Sequence, residues 1–573
     1  AKLADAEKEI SKIEYPDSYA LDRDTNVGYV CFNNDTSIVE GIAKVFPVFF
    51  FLVAALVCMT TMSRMIEEQR TQIGVLKALG YGVPRIISKY MFYSGSSAVI
   101  GGVLGFFAGT YIFTWVIWEA YKMMYEFADV IFVIDWATGA FALLAAIICS
   151  VGTTLYSCYH ELNQVPAQLI RPKAPSSGKR IFLEKMTFIW KRLKFLQKVS
   201  IRNVFRYKKR FFMMIVGICG CTALLVTGFG VRDSIKNVVS MQYDEIFHVD
   251  YEVTFNHGLN EQEQQAFAED NSQYVDDCLF LYTGSVDVRL NGQVKAVNLV
   301  VSGDSAPIED FISLHNDEDG ELSYPGDGQG IINSNLAENL DLKVGDSLTV
   351  YDSEMNPLTV EITGLCDNYV YNYLYINDDT YRSAFGEPEI NSAYVQGPRE
   401  DGELVDNPHE TGSALMDSAN VSSVTVTQDF RNRIDNMMKS LDYVIALITL
   451  SAAALAFIVL YNLTNINITE RIREIATIKV LGFYPRETSA YVFRENIALT
   501  AIAAIIGLPL GKWLHGFAMS RIQIDMLSFD VHITLLSYIT AVIGTFIFAM
   551  IVNLVMRRKL DKVSMTESLK SIE

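Results

Sequence analysis

Seven long runs of the chain are apolar and almost free of charge, near 45–63, 90–118, 136–159, 211–231, 443–468, 496–511 and 533–556. A hydrocarbon core about 30 Å thick is crossed by roughly 20 residues of helix, so each run predicts a transmembrane span. The sixth is short, and reaches full length only if Tyr491 to Phe493 extend it past the Arg494/Glu495 pair. Between the fourth and fifth runs the periodicity changes to that of strands. "SVDVRLNGQVKAVNLVV" alternates around Asn291-Gly292, a strong hairpin signal, and "INSNLAENLDLKVGDSLTV" reads as a short helix, a turn at Gly345-Asp346 and a strand.

Two polar helices interrupt the apolar pattern in the same way. "EEQRTQIGVLKALGYGVPR" starts at Glu67 and "TERIREIATIKVLGFYPR" at Thr469, with Gly80 and Gly482 placed 402 positions apart. Ile66, Ile73, Leu76 and Leu79 in the first copy, and Ile468, Ile472, Ile475 and Ile478 in the second, recur at helical spacing, and each glycine is a natural stop. After each copy comes a span with small residues at every fourth position, Gly101/Gly105/Gly109 and Ala503/Gly507/Gly511, a spacing that lets helices approach closely in lipid. A third span and a polar tail follow in both cases. The chain therefore contains a duplicated three-span unit.

Charge orients this arrangement. Lys and Arg collect in 64–89 and, fourteen of them against the single acid Glu184, in 171–210, which places those loops in the cytoplasm. The segment 232–442 and the start of the chain then lie outside, and Arg557, Arg558 and Lys559 lie inside. The net charge of −19 sits with a hydrophobic share of 50% because 232–442 is strongly acidic, a composition that suits a solvated surface. The expected fold class is an α-helical polytopic membrane protein of seven spans with an α+β extracytoplasmic domain.

The boundaries run as follows: 1–43, the end of an extracytoplasmic domain; 44–159, a first membrane unit with its polar helix at 66–80; 160–210, a basic cytoplasmic linker and interfacial elbow helix. A span at 211–231 precedes the acidic domain 232–442, a second membrane unit 443–556 with its polar helix at 468–482, and a cytoplasmic tail 557–573. The second half has a span and a large domain before its three spans, so symmetry predicts that the first half lacks such a front part here. The helical pattern of Leu3, Ile10 and Ile13 reads as the tail of a longer external helix or as a frayed terminus.

Catalytic chemistry is poorly represented. "GLPLGKW" at 507–513 has the wrong spacing for a phosphate loop and falls in a span, so it is not read as a nucleotide site. "HNDEDGE" at 315–321 lacks the first Asp and the distant Glu of a calcium loop, and no metal site is expected. Five of the eight Cys fall in spans as small apolar residues; Cys278 and Cys366 are external, and whether they pair is left open. The aromatic and basic mixture at 180–210 reads as a helix held to anionic lipid rather than as a nucleic-acid surface.

"RTQIGVLKALG" and "RIREIATIKVLG", each leaving an outside-to-inside span, resemble the signature of the FtsX/MacB-like permeases, membrane subunits of ABC systems of the mechanotransmission type. "IINSNLAENLDLKVGDSLTV" is similar to a segment of their external domains, and "RPKAPSSGKRIFLE" and "RNVFRYKKRFF" resemble large duplicated members from Gram-positive anaerobes. The resemblance implies a bacterial plasma-membrane permease that is not itself an enzyme. A cytoplasmic ABC ATPase dimer carrying ATP and Mg would dock beneath it, and its closure would move the external domains to export or extract a lipophilic or peptide substrate. An extracytoplasmic protein partner fits the same picture, and no cofactor is expected in the chain itself. Carried over by motif, the ATPase-coupling positions are Glu68, Arg70, Gln72, Lys77, Gly80, Glu470, Arg473, Glu474, Lys479 and Gly482. The first copy departs from the pattern, with Thr71 and Gln72 where the second has Arg473 and Glu474. The alternatives are an FtsX-like regulator of cell-wall hydrolases or signalling that transports nothing, and a static scaffold, against which the duplicated helix speaks.

Overall fold

The computed structural model describes residues 27–122, 125, 131–170, 208–290, 293–303, 308–316, 320–400, 403–522 and 527–562. The amino-terminal helical pattern, the basic segment 171–207, Asn291-Gly292, residues 317–319 and the tail after 562 lie outside this set.

The first half contains α1 (Val27–Glu68), α2 (Arg70–Ala78), α3 (Val83–Tyr121), α4 (Trp136–Leu162) and α5 (Pro166–Ile170). The second begins with α6 (Lys208–Ser240) and, after a sheet domain, continues with α7 (Thr427–Glu470), α8 (Ile472–Val480), α9 (Pro485–Met519) and α10 (Leu535–Asp561). Seven of these, α1, α3, α4, α6, α7, α9 and α10, are long and apolar enough to cross a membrane.

Several helices outrun their apolar stretches. α7 has 44 residues, roughly 66 Å at 1.5 Å per residue, about twice the hydrocarbon thickness. Residues 27–44 and 427–442, which the sequence pattern leaves to external segments, are thus helical stalks continuous with spans. α6 overshoots similarly and ends in a π-helical turn, Met241–Ile246. The short sixth run is also accounted for: α9 passes straight through Arg494 and Glu495, because the Glu495 carboxylate is buried against a cation rather than exposed to lipid.

The small residues at every fourth position behave differently in the two halves. Ala503, Gly507 and Gly511 are buried on α9, and a Cβ at Gly507 would lie 2.8 Å from Thr222 Cβ and 3.0 Å from the Cys219 carbonyl of α6. At Gly511 it would lie 2.6 Å from Val226. Gly101, Gly105 and Gly109 meet nothing within 4 Å among the described residues. The close approach of α3 to α4 is made instead by Gly102 against Leu143 and Gly139 against Phe106. The reason is positional: no described helix lies beside α3 as α6 lies beside α9.

The sheet domain has β1 (Tyr251–Phe255), β2 (Asp277–Leu290), β3 (Gln293–Ser302), β4 (His315–Asn316), β5 (Gly320–Glu321), β6 (Gln329–Asn333) and β7 (Ser347–Tyr351). They are followed by β8 (Pro357–Cys366), β9 (Tyr373–Asn377), β10 (Ser392–Gln396), β11 (Arg399–Glu400), β12 (Glu403–Leu404) and β13 (Val421–Val426). Nine of them form one mixed sheet in the order β13-β1-β10-β2-β3-β9-β6-β8-β7, with β2 also paired to β7, so six strands close on themselves. Leu290 pairs with Gln293 in the antiparallel β2/β3 pair. A helix at Ser334–Leu340 and Gly345 at φ +94° precede β7, the expected helix, turn and strand.

One apolar cluster joins stalk to sheet: Ile38, Val231, Ile235 and Val238 pack in the same core as Leu279, Leu281, Val300 and Tyr375. Cys278 and Cys366 are free thiols, both pushed up to about 12, chiefly by burial.

Candidate coupling surface

Each polar helix hangs from its span by one residue with non-helical backbone. Gln69 (φ −93°, ψ 11°) separates α1 from α2, and Arg471 (φ −104°, ψ 14°) separates α7 from α8. Both helices end at a glycine in the left-handed region, Gly80 at φ +88° and Gly482 at φ +90°, where a side chain would be strained. The closing bonds match: the amides of Gly80 and Tyr81 donate to Lys77 and Leu76 carbonyls, and those of Gly482 and Phe483 to Lys479 and Ile478 carbonyls. These are the paired bonds of a Schellman stop.

The hinge residues carry the anchors. Arg471 is buried, and its guanidinium donates to Glu495 at 2.5 Å, to Glu474 at 2.9 Å and to the Tyr491 hydroxyl at 2.9 Å. In the first half the same place holds Gln69, whose side-chain oxygen accepts from the Tyr90 hydroxyl at 2.8 Å and from Lys89 at 3.1 Å. Tyr90 and Tyr491 each stand six residues after the proline that opens α3 or α9. One half therefore centres its hinge on a guanidinium held by carboxylates and the other on a neutral amide, on one scaffold.

A lysine then ties each polar helix to the third span of its own unit. Lys77 Nζ donates to the carbonyls of Leu162 (2.7 Å) and Gln164 (2.9 Å), and Lys479 Nζ to those of Leu560 (2.9 Å) and Asp561 (3.2 Å). A cation there satisfies orphan carbonyls and faces the negative end of the helix dipole. Arg70 reaches the same region of the first half, to Gln164 at 2.5 Å and the Gln168 carbonyl at 3.0 Å. Glu68 is exposed and pairs with Arg64 at 2.8 Å, and Gln72 is exposed. The side chains of Glu470 and Arg473 lie outside the described residues.

Ile66, Ile73, Ile468 and Ile475 are buried as the periodicity predicts. The ends are not covered: Leu79 is 70% exposed, Leu481 71% and Tyr484 74%, with Tyr81 and Phe483 beside them. Each polar helix thus offers an apolar tip held by a rigid collar. The hinge anchors Gln69, Arg471 and Glu495 do not stand out in the sequence, since they read as ordinary surface polarity; the signal is that Arg471 and Gln69 each lie eleven residues before the glycine stop. The 507–513 string is helical throughout within α9, so its amides cannot cradle a phosphate.

The family described as FtsX-like permease C-terminal matches residues 44–166 and again 446–564, so both units, with their polar helices, fall within the matched segments. Both three-span units resemble FtsX-like permeases. The chain is 22% identical over 340 residues to an uncharacterized ABC transporter permease of Methanocaldococcus jannaschii, covering 57% of this chain and 82% of that one. Solved structures similar to it include the extracellular domain of the noncanonic ABC-type transporter YknZ from Gram-positive bacteria, at 18% identity and TM-score 0.21, covering 30% of this chain and 98% of that one. The periplasmic region of MacB from Actinobacillus actinomycetemcomitans is another, at 12% identity and TM-score 0.22, covering 33% and 94%. The two matched units carry different residues at the hinge, Gln69 in one and Arg471 in the other.

Proposed function

We propose that this permease couples ATP hydrolysis by a separate, dimeric ABC ATPase to movement of its sheet domain, for export or extraction of a lipophilic or peptide substrate. The observation that carries this reading is the set of features that α2 and α8 share. Both are stopped by a left-handed glycine, roped by a lysine to a third span, and left with an exposed apolar tip. Two equivalent tips suit a partner that is itself two-fold, and the collar gives a push on the tip a path into three spans. Orientation follows from the basic loops, with the tips in the cytoplasm and the sheet domain outside.

Transport is favoured over signalling alone by a cavity of about 1140 Å³ between α6, α7 and α10. Its lining runs from apolar Leu225, Phe229 and Ala453 to Arg232, Arg433 and Lys439 towards the sheet domain, which matches an amphiphile held across the outer leaflet and its headgroups.

The test is a pull-down of the tagged chain from native membranes in mild detergent, read by mass spectrometry for a co-purifying Walker-type subunit. A Leu79→Asp/Leu481→Asp variant is expected to lose that subunit while keeping its fold. Capture of no ATPase by the wild-type chain would sink the reading.

A further inference from the structure

A second cavity, of about 400 Å³, lies between the sheet and the stalks. On β1, Tyr251, Val253 and Phe255 point into a core, so Glu252 faces the opposite side, paired across the sheet with Tyr394 and Thr425. Tyr371 and Tyr373 line the same space from the loop before β9 and from β9 itself. The facing wall is helical. Tyr243 comes from the π-helical turn, Phe247 follows it, and Phe430 comes from the first turns of α7. Ring centroids are 6.4 Å apart for Tyr243 and Phe430, 5.9 Å for Tyr371 and Phe430, and 5.6 Å for Phe247 and Tyr394. Six rings and one carboxylate thus line the same cavity.

Among the described residues that carboxylate has no counter-charge. Burial alone raises the Glu252 carboxyl above its ordinary range, and among the described residues no Lys, Arg or His forms an ion pair with it. The charged groups on the facing wall, Arg431 and Asp244, are engaged with each other at 2.6 and 3.1 Å. The other titratable groups facing it are the hydroxyls of Tyr243, Tyr371, Tyr373 and Tyr394.

The wall is also deliberately held. Gln242 donates to Asn368 Oδ1 and accepts from the amides of Tyr369 and Val370. Asn368 in turn donates to the Val370 and Tyr371 carbonyls, fixing Tyr371 at φ +63°, an unusual backbone for a bulky residue. Ring faces around an uncompensated carboxylate are what a compact organic cation requires.

We propose that this cavity binds an alkylammonium group, with Glu252 as its counter-ion and Tyr243, Tyr373, Tyr394 and Phe430 as its ring faces. The chemistry fits two sources, the side-chain amine of a lysine in a peptide and a quaternary ammonium headgroup. The site needs neither ATP nor transport, so it stands or falls apart from the permease reading. Because its walls come from β1, the π-helical turn and α7, an occupant would bridge sheet and stalks.

The experiment titrates the full chain in lipid nanodiscs by calorimetry with Nα-acetyl-lysine methylamide, with choline, and with 3,3-dimethylbutanol as choline's uncharged isostere. At least one cation is expected to bind and the isostere not to. Stronger binding of the lysine amide assigns a peptide amine; stronger binding of choline assigns a headgroup. Glu252→Gln and, as a second variant outside the sheet, Tyr243→Leu are each expected to weaken the bound cation tenfold or more. The proposal is overturned if neither cation binds, if the isostere binds equally well, or if both variants bind like wild type.

Discussion

Arg471 and Gln69 show how one position can be solved twice. Removing a partner from a buried ion pair leaves a charge that protein cannot solvate, at a cost of about 3–5 kcal/mol, whereas a neutral hydrogen bond contributes about 1 kcal/mol. Glu495→Ala is therefore expected to lower thermal stability in detergent far more than Gln69→Ala. Equal losses from the two would mean that the half-buried Glu474, which Arg471 also contacts at 2.9 Å, compensates the guanidinium by itself. Neither residue advertises this role in the sequence. Arg471 stands among Glu470, Arg473 and Glu474 and reads as one more solvated charge; only the crossing of α9 over the hinge buries it. Glu252 is equally silent, one acid among many, until its strand register is known.

At the scale of elements, the spans and the repeat were legible because bilayer thickness and period dictate them directly. The stalks were not, since helix can continue past the apolar run wherever other helices or a sheet cover it. The lysine ropes were invisible for a different reason: their acceptors are backbone carbonyls, which have no residue type. Lys77 and Lys479 read in the motif as partner contacts, and each also bonds to carbonyls of its own chain. Lys77→Met and Lys479→Met are each expected to cost about 1 kcal/mol locally. Hydrogen exchange in the last turns of α4 and α10 should then quicken by about fivefold. Unchanged exchange there would show that the rope bears no tension.

Across the whole molecule, the shared core of stalk and sheet makes a mechanical claim. Ile235 and Val238 on α6 and Leu279 and Leu281 on β2 belong to one apolar cluster, and elements that share a core open together. Native-state hydrogen exchange should give these two segments a common opening free energy. Separate values would mean that the sheet rides on a loose joint and that little of a push from below reaches it.

The unlike hinges have a further consequence. On the proposed reading, a symmetric pair of motor subunits pressing on α2 and α8 would work against two unlike springs, one built on a carboxylate-held guanidinium and one on a neutral amide. The softer side would yield first, giving the stroke a fixed order that no homodimeric arrangement of identical halves could have.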